Sequence, residues 1–361
     1  MIPLTLPAVA EPGEPFVTRL ARSRHGVGDP SESILVDEDH DGATFAGMHG
    51  LVAIDGVSAD DLEGDVVLVS PHANRVERLL RVGSRHNTLL ITERCDQLCV
   101  MCSQPPKKTH VDRFDALEAA CLLAEENILI GISGGEPTLY KDRLLTMVER
   151  VLGARPDLQF HILSNGQHFD ADDVERLRDA RYRRVSWGIP LYAADAVLHD
   201  GIVGKTDAFD RLHQSFGVLL AAGARIELRT VMLTSNVAQL PDLARYLSAR
   251  FQFIEAWSIM QLENIGFAKR RWADLFVRHD LDFSAIASAL DWSSSRGLRA
   301  QLFNFPRCTV PPAYRKFAVA SISDWKNKRL APCTACAERD QCAGFFEWHP
   351  DKDALAVIQP L

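Results

Sequence analysis

The sequence predicts an α/β protein built on a parallel sheet under helices, and three observations carry that reading. From Asn87 onward six short β-type runs alternate with helical patterns, a polar cluster follows each of the first four runs, and no solenoid repeat or low-complexity tract interrupts the series. The runs are NTLLITE at 87–93, NILIGIS at 127–133, LQFHILS at 158–164, RRVSWGI at 183–189, RIELRTVML at 225–233 and FIEAWSIM at 253–260. Between them lie amphipathic stretches such as FDALEAACLLAEE at 114–126, DRLLTMVERVLG at 142–153 and FDRLHQSFGVLLAAG at 209–223. Periodicity leaves two arrangements open, a curved partial barrel and an open doubly wound sheet. Both put ligand loops at the carboxyl ends of the strands, where TERCDQLC, SGGEPT, SNG and PLY stand.

The flanks read differently. Residues 1–84 are rich in Gly, Asp and Val, with a hairpin expected within Asp65–Val82 between Gly64 and Gly83. They form a β-rich segment that either caps the sheet or captures an extended peptide at an exposed strand edge. After about residue 291 the repeat fades, giving three units: 1–84, 85–290 and 291–361. A hydrophobic fraction of 47% with 24% charged residues fits a folded chain, and 40 basic against 48 acidic residues leave a net charge of −8, which argues against nucleic acid as the main partner. No apolar run approaches the roughly 18 residues of a membrane-spanning helix. The opening MIPLTLPAVAEPGEP has no secretory pattern, so a cytoplasmic location without a membrane partner is expected. In a reducing compartment eight cysteines call for metal or catalysis before disulfides.

Cys95, Cys99 and Cys102 form CxxxCxxC directly after the first strand. Three thiolates on one loop can hold three corners of an iron–sulfur cube, leaving one iron open to a small molecule. A structural zinc site would need a fourth protein ligand, for which His110 is the local candidate, although a lone loop histidine is usually a surface residue.

With Gly134-Gly135-Glu136-Pro137 after the second strand, this triplet resembles the radical S-adenosylmethionine superfamily. The resemblance implies a partial (β/α)6 TIM-like barrel, a [4Fe-4S] cluster on the three cysteines, and S-adenosylmethionine chelated at the open iron. It also implies reductive cleavage of that cofactor to a deoxyadenosyl radical. Gly134 and Gly135 would let the backbone approach the ligand, and Glu136 would accept from its ammonium group. Met101 would lie against the adenine, Ser164 and Asn165 would contact ribose or methionine, and Arg229 would grip the carboxylate. Each also has a structural reading: core filler for Met101, turn former for Asn165, ordinary ion pair for Arg229.

Cys308, Cys333, Cys336 and Cys342 give C-x24-C-x2-C-x5-C near the end of the chain. This set suits a fully ligated second [4Fe-4S] cluster or a zinc ion; the company of a redox site favours the cluster. Cys121, inside an amphipathic stretch, reads as core packing. The tail resembles the twitch or SPASM-like extensions of peptide-modifying radical enzymes. More narrowly, LLITERCDQLCVMCSQPP at 89–106, GIPLYAADAVLHDGIVG at 188–204 and SISDWKNKRLAPCTACAERDQCAGFF at 321–346 resemble the C-type radical maturase of His-Xaa-Ser peptide systems. That resemblance implies a ribosomally made precursor peptide as substrate, an electron donor such as flavodoxin or ferredoxin, and a partner radical maturase. Two other readings stay open: a radical enzyme acting on a small molecule or nucleotide, and a non-catalytic zinc-binding interaction protein. Tyr192, His199, Asp200 and Lys205 lie on the substrate side without an assigned role; Trp257, Glu263 and Asn264 around the sixth strand's end are candidates to line the pocket, with core packing an equal reading for Trp257.

Overall fold

The computed structural model describes residues 2–23 and 31–361; the part of the N-terminal segment at 24–30 lies outside the described residues. Seven parallel strands form the main sheet: β8 (Thr88–Leu90), β9 (Leu129–Ser133), β10 (Gln159–Leu163), β11 (Val185–Pro190), β12 (Arg225–Val231), β13 (Ala256–Met260) and β14 (Ala300–Phe303). Their spatial order is their chain order. A doubly wound sheet must reverse direction at a switch point; this one never does, so right-handed crossovers stack the helices on one face and leave the other concave. The partial barrel is therefore the arrangement adopted. Helix Lys141–Ala154 shows how the outer face closes. Leu144, Leu145, Val148, Val151 and Leu152 recur at three- and four-residue spacing and are buried against Ile130, Ile132, Phe160 and Ile162 in one apolar core.

The sheet runs one strand beyond the six expected. Helix Ser284–Ser295 leads into β14, which pairs with β13 from Trp257↔Ala300 to Met260↔Phe303. A boundary at residue 290 thus cuts the last repeat in two. Four residues, Ala300–Phe303, are too short a run to announce themselves by periodicity.

The N-terminal segment is more than a hairpin. β1 (Thr5–Ala10), β2 (Phe16–Ala21), β3 (Glu32–Glu38), β4 (Gly42–Gly47), β5 (Gly50–Asp55), β6 (Val66–Ser70) and β7 (Arg75–Leu80) close into a barrel in the order β1-β5-β4-β3-β2-β6-β7. The expected hairpin is β6–β7. Leu20, Phe45, Val52, Ile54, Leu62 and Val76 fill its interior. A closed barrel pairs every strand on both sides, so capture of an extended peptide at a free edge has little edge to use here.

The tail is built from short 3₁₀ turns and one small ladder, β15 (Asn327–Lys328) with β16 (Phe345–Phe346). Residues 318–326 span the open side of the main sheet. At one end Val319 N–H donates to Leu302 of β14; at the other, Asp324 pairs at 2.5 Å with Arg81, whose backbone is bonded to Asn87 just before β8. Among the described residues no helix is long and apolar enough to cross a membrane.

Candidate active site

The loop after β8 carries Cys95, Cys99 and Cys102, all partly buried. Helix Ala196–Val203 holds it. Asp195 caps that helix by accepting from Leu198 N at 2.9 Å, and Gly204 ends it in the left-handed region with φ 66°. The last carbonyls of the helix then receive the cysteine loop: Leu98 N donates to Val203 O at 3.0 Å and Val100 N to Ile202 O at 2.9 Å. A Cβ on Gly204 would lie 2.7 Å from Leu98 O, so only glycine permits this approach. On the loop's other side Phe267 N donates to Cys102 O at 2.9 Å.

Asp96, next to Cys95, ties the loop to two further strand ends. Its carboxylate accepts from Asn165 Nδ2 at 2.7 Å and from Lys205 Nζ, with His168 Nε2 at 3.3 Å. Burial works to raise the Asp96 pKa, but these three donors outweigh it and hold the group well below the usual carboxylate range. Asn165 Nδ2 also stands 4.0 Å from Cys95 Sγ. The thiols move the other way. Burial, with the neighbouring sulfurs and acids, pushes Cys95 up to about 11 and Cys99 up to about 12, and burial raises Cys102. Metal binding here must displace protons.

The GGEP loop packs against the base of the cysteine loop. Gly135 N donates to Thr92 O at 2.8 Å and Glu136 N to Arg94 O at 2.7 Å, and side chains on Gly134 or Gly135 would collide with those carbonyls. The glycines thus serve a contact between two loops. Glu136 is fully buried. Its Oε1 accepts from Thr138 N at 2.8 Å, Thr138 Oγ1 at 2.5 Å and Ser164 Oγ at 2.9 Å, and its Oε2 from Asn165 N at 2.5 Å. Burial nonetheless raises its pKa. The carboxylate expected to meet a ligand ammonium is turned inward as a strut between the ends of β9 and β10. Of the two residues after the third strand, Asn165 reaches the cysteine loop through Asp96, whereas Ser164 bonds Glu136 and Gly166 N.

The other expected residues divide. Met101 packs in a small core with Tyr192, Ile202, Val203, Leu233 and Leu262, the structural reading given for it. Arg229 pairs with Glu227 at 3.2 Å. Trp257 is completely buried with its Nε1 on Thr230 Oγ1 at 2.9 Å and points to the helix-covered face, the core placement of the two readings given for it. Asn264 is buried, and Glu263 faces Lys326 of the tail at 3.5 Å. His199 is buried and accepts from Tyr192 N at 3.3 Å, while Asp200 caps the following helix through Phe209 N at 2.8 Å; both are structural, while Lys205 reaches the cysteine loop through Asp96 and Tyr192 packs against it. His110 bonds Thr92 Oγ1 at 3.0 Å and stacks on Tyr140, which uses it elsewhere than as a fourth ligand. Cys121 is enclosed in the core.

Sequence reasoning missed the charged floor of the concave face. Glu227 Oε2 lies 2.8 Å from His161 Nε2, and its Oε1 accepts from Ser258. Burial raises the Glu227 pKa, but Arg229, His161 and Ser258 outweigh it and keep the group ionised. A period-two signal was available: Glu227 and Arg229 alternate with Ile226 and Leu228, and His161 with Phe160 and Ile162.

The donor sets fit iron–sulfur chemistry. Three thiols share one loop with no local histidine completing them. The second four thiols line one cavity of about 420 Å³, open space at its mouth included, together with Arg307, Arg329 and Arg339. Among the described residues no three His, Cys, Asp or Glu side chains are grouped closely enough to hold a metal ion as they stand.

Residues 89–247 match the Radical SAM superfamily. Curated proteins give no match. Among solved structures, Streptococcus suis SuiB bound to S-adenosylmethionine is 17% identical with a TM-score of 0.48, over 60% of this chain and 49% of that one. SuiB bound to precursor peptide SuiA gives 16% and 0.48, over 61% and 48%. A radical SAM methyltransferase from Sphaerobacter thermophilus gives 14% and 0.45, over 75% and 77%. The chain spans about half the length of the SuiB chains it matches.

Proposed function

Starting from the match of residues 89–247 to the Radical SAM superfamily, we propose that this protein modifies a ribosomally made precursor peptide, with Cys95, Cys99 and Cys102 holding a [4Fe-4S] cluster and S-adenosylmethionine as cofactor. The observation that carries the reading is the meeting of the three-cysteine loop with the GGEP loop and the end of β10 at the carboxyl edge of a singly wound sheet. When bound, the cluster would pass one electron, received from an external donor, to the cofactor's own sulfonium, and cleavage of a carbon–sulfur bond there would give methionine and a carbon radical able to take a hydrogen atom from substrate.

The chain's own residues do the rest. Val203, Ile202 and Lys205 fix the cysteine loop from one side, and Asn165 fixes it from another. Tyr192 and Met101, both buried, back the loop with apolar surface and keep water from that side. Below it, Glu227 holds His161 and Arg229 on the concave face, where their side chains stay 24% and 20% exposed and can meet polar groups of a substrate. A peptide substrate is supported by the resemblance of the three phrases at 89–106, 188–204 and 321–346 to His-Xaa-Ser maturases and by the second cysteine set. The same reading includes a second [4Fe-4S] cluster on Cys308, Cys333, Cys336 and Cys342.

Co-expression with short reading frames from the native locus tests the substrate class. A mass change in one peptide, absent with Cys99→Ala, is the expected result. Unmodified peptides together with turnover of a metabolite would replace the peptide with a small molecule, and zinc at both sites would remove the enzymatic reading.

A further inference from the structure

The four tail cysteines sit among main-chain amides. Arg307 N donates to Cys342 Sγ at 3.3 Å and Gly344 N to the same sulfur at 3.4 Å. Two more amides come from residues 358–361: Leu361 N donates to Cys336 Sγ at 3.4 Å, and the Gln359 amide faces Cys308 and favours its thiolate against the burial that raises its pKa. These residues also wall the cavity, since Ile358, Pro360 and Leu361 line it beside the cysteines.

The placement of this segment is secured at both ends. Val357 N and Ile358 N donate to Ala354 O at 3.1 Å, continuing the short helix Asp351–Leu355, which Lys328 anchors through Asp351 at 2.5 Å. At the far end Ala337 N donates to Leu361 O at 2.8 Å, pinning the segment to the residue after Cys336. An otherwise irregular stretch thus has backbone bonds at both ends and amides aimed at two sulfurs between them.

Resting on the two-cluster reading above, we infer that residues 358–361 form a strap that closes the second cluster's pocket and sets its reduction potential through amide bonds to the cysteine sulfurs. The electrostatics have one sign. A four-thiolate cluster is anionic and gains a further negative charge on reduction, so each N–H donor favours the reduced form and raises the potential, as do the arginines at the rim. The apolar side chains of the strap limit access of water and chelators.

The test uses the full chain, anaerobically reconstituted with iron and sulfide, in three forms: parent, Leu361→Pro, which deletes one amide donor, and Leu361→Ala, which keeps it. Redox titration followed by electron paramagnetic resonance should show about eight irons per chain in all three. One of two midpoints should move to a more negative value in Leu361→Pro alone, and iron from that cluster should pass to a chelator several-fold faster. Eight irons with both midpoints unchanged in Leu361→Pro would overturn the strap while leaving two clusters in place. An equal shift in Leu361→Ala would also overturn it, since that variant retains the donor. Four irons in the parent would overturn the second cluster and the strap together.

Discussion

Asp96 and Lys205 show how much of the site depends on residues outside the cysteine triplet. Their ion pair crosses from the cysteine loop to the turn after helix Ala196–Val203, and Lys205 is about one-third exposed, so the pair matters for geometry more than for global stability. Lys205→Met is expected to leave the melting temperature within a few degrees while lowering first-site iron severalfold after reconstitution. Iron analysis against circular dichroism melting checks this; full iron with an unchanged cluster spectrum would assign Lys205 no positioning role. His279 offers a pH test. It is buried, with Nδ1 2.8 Å from Gln261 Nε2 and Nε2 2.7 Å from Thr309 Oγ1, and burial drives its pKa down to about 4 from 6.5. The folded state therefore binds fewer protons than the unfolded state between those values, so this residue's stabilisation is complete above pH 6.5 and is lost as pH falls towards 4. The slope is at most about 1.4 kcal/mol per pH unit. His279→Gln should flatten the fall in melting temperature between pH 6.5 and 4.5 relative to the parent; parallel curves would contradict the assignment. The cysteines were legible from spacing alone. The inward turn of Glu136 was not, because its partners Ser164 and Asn165 come from a different strand end, which a linear motif does not record.

At the level of elements, the junction between the cysteine loop and helix Ala196–Val203 rests on Gly204. A side chain there would force an L-residue into the left-handed region, at about 1–2 kcal/mol, and press on Leu98 O. Gly204→Ala is expected to lower the urea midpoint and to reduce cluster loading at the first site together. Equal stability and full loading would show that the loop relaxes without cost. The parallel strands were legible because buried strands of an α/β fold read as apolar runs between amphipathic helices. The N-terminal barrel was legible only at β6–β7. Its other strands are six or seven residues long, β3 to β5 with Gly or Asp within or beside them, and β2 and β3 pair in parallel, an arrangement no hairpin signal announces. β14 escaped for the same reason of length.

For the whole molecule, the tail does two jobs at once: residues 318–326 cross the open side of the sheet, and the second cysteine set flanks that crossing, Cys308 before it and Cys333, Cys336 and Cys342 after it. Six residues separate Ala318, bridged to β14, from Asp324 at Arg81, so the two edges lie within about 20 Å along an extended chain. Arg81 is nearly buried, and removing its partner leaves a desolvated charge. Asp324→Ala should therefore open residues 318–330 to limited proteolysis while the N-terminal barrel stays resistant; an unchanged digest would show that the crossing does not depend on this pair. Lys326 of the crossing faces Glu263, just after β13, at 3.5 Å, so the tail packs against the carboxyl edge of the main sheet. The central claim is that the loop of Cys95, Cys99 and Cys102 leaves one iron free for S-adenosylmethionine. The most direct measurement is anaerobic reduction of the reconstituted protein with that cofactor, followed by chromatography for deoxyadenosine. Release of deoxyadenosine by the parent and none by Cys99→Ala is the expected result; a fully loaded, reduced parent that releases none would contradict the account.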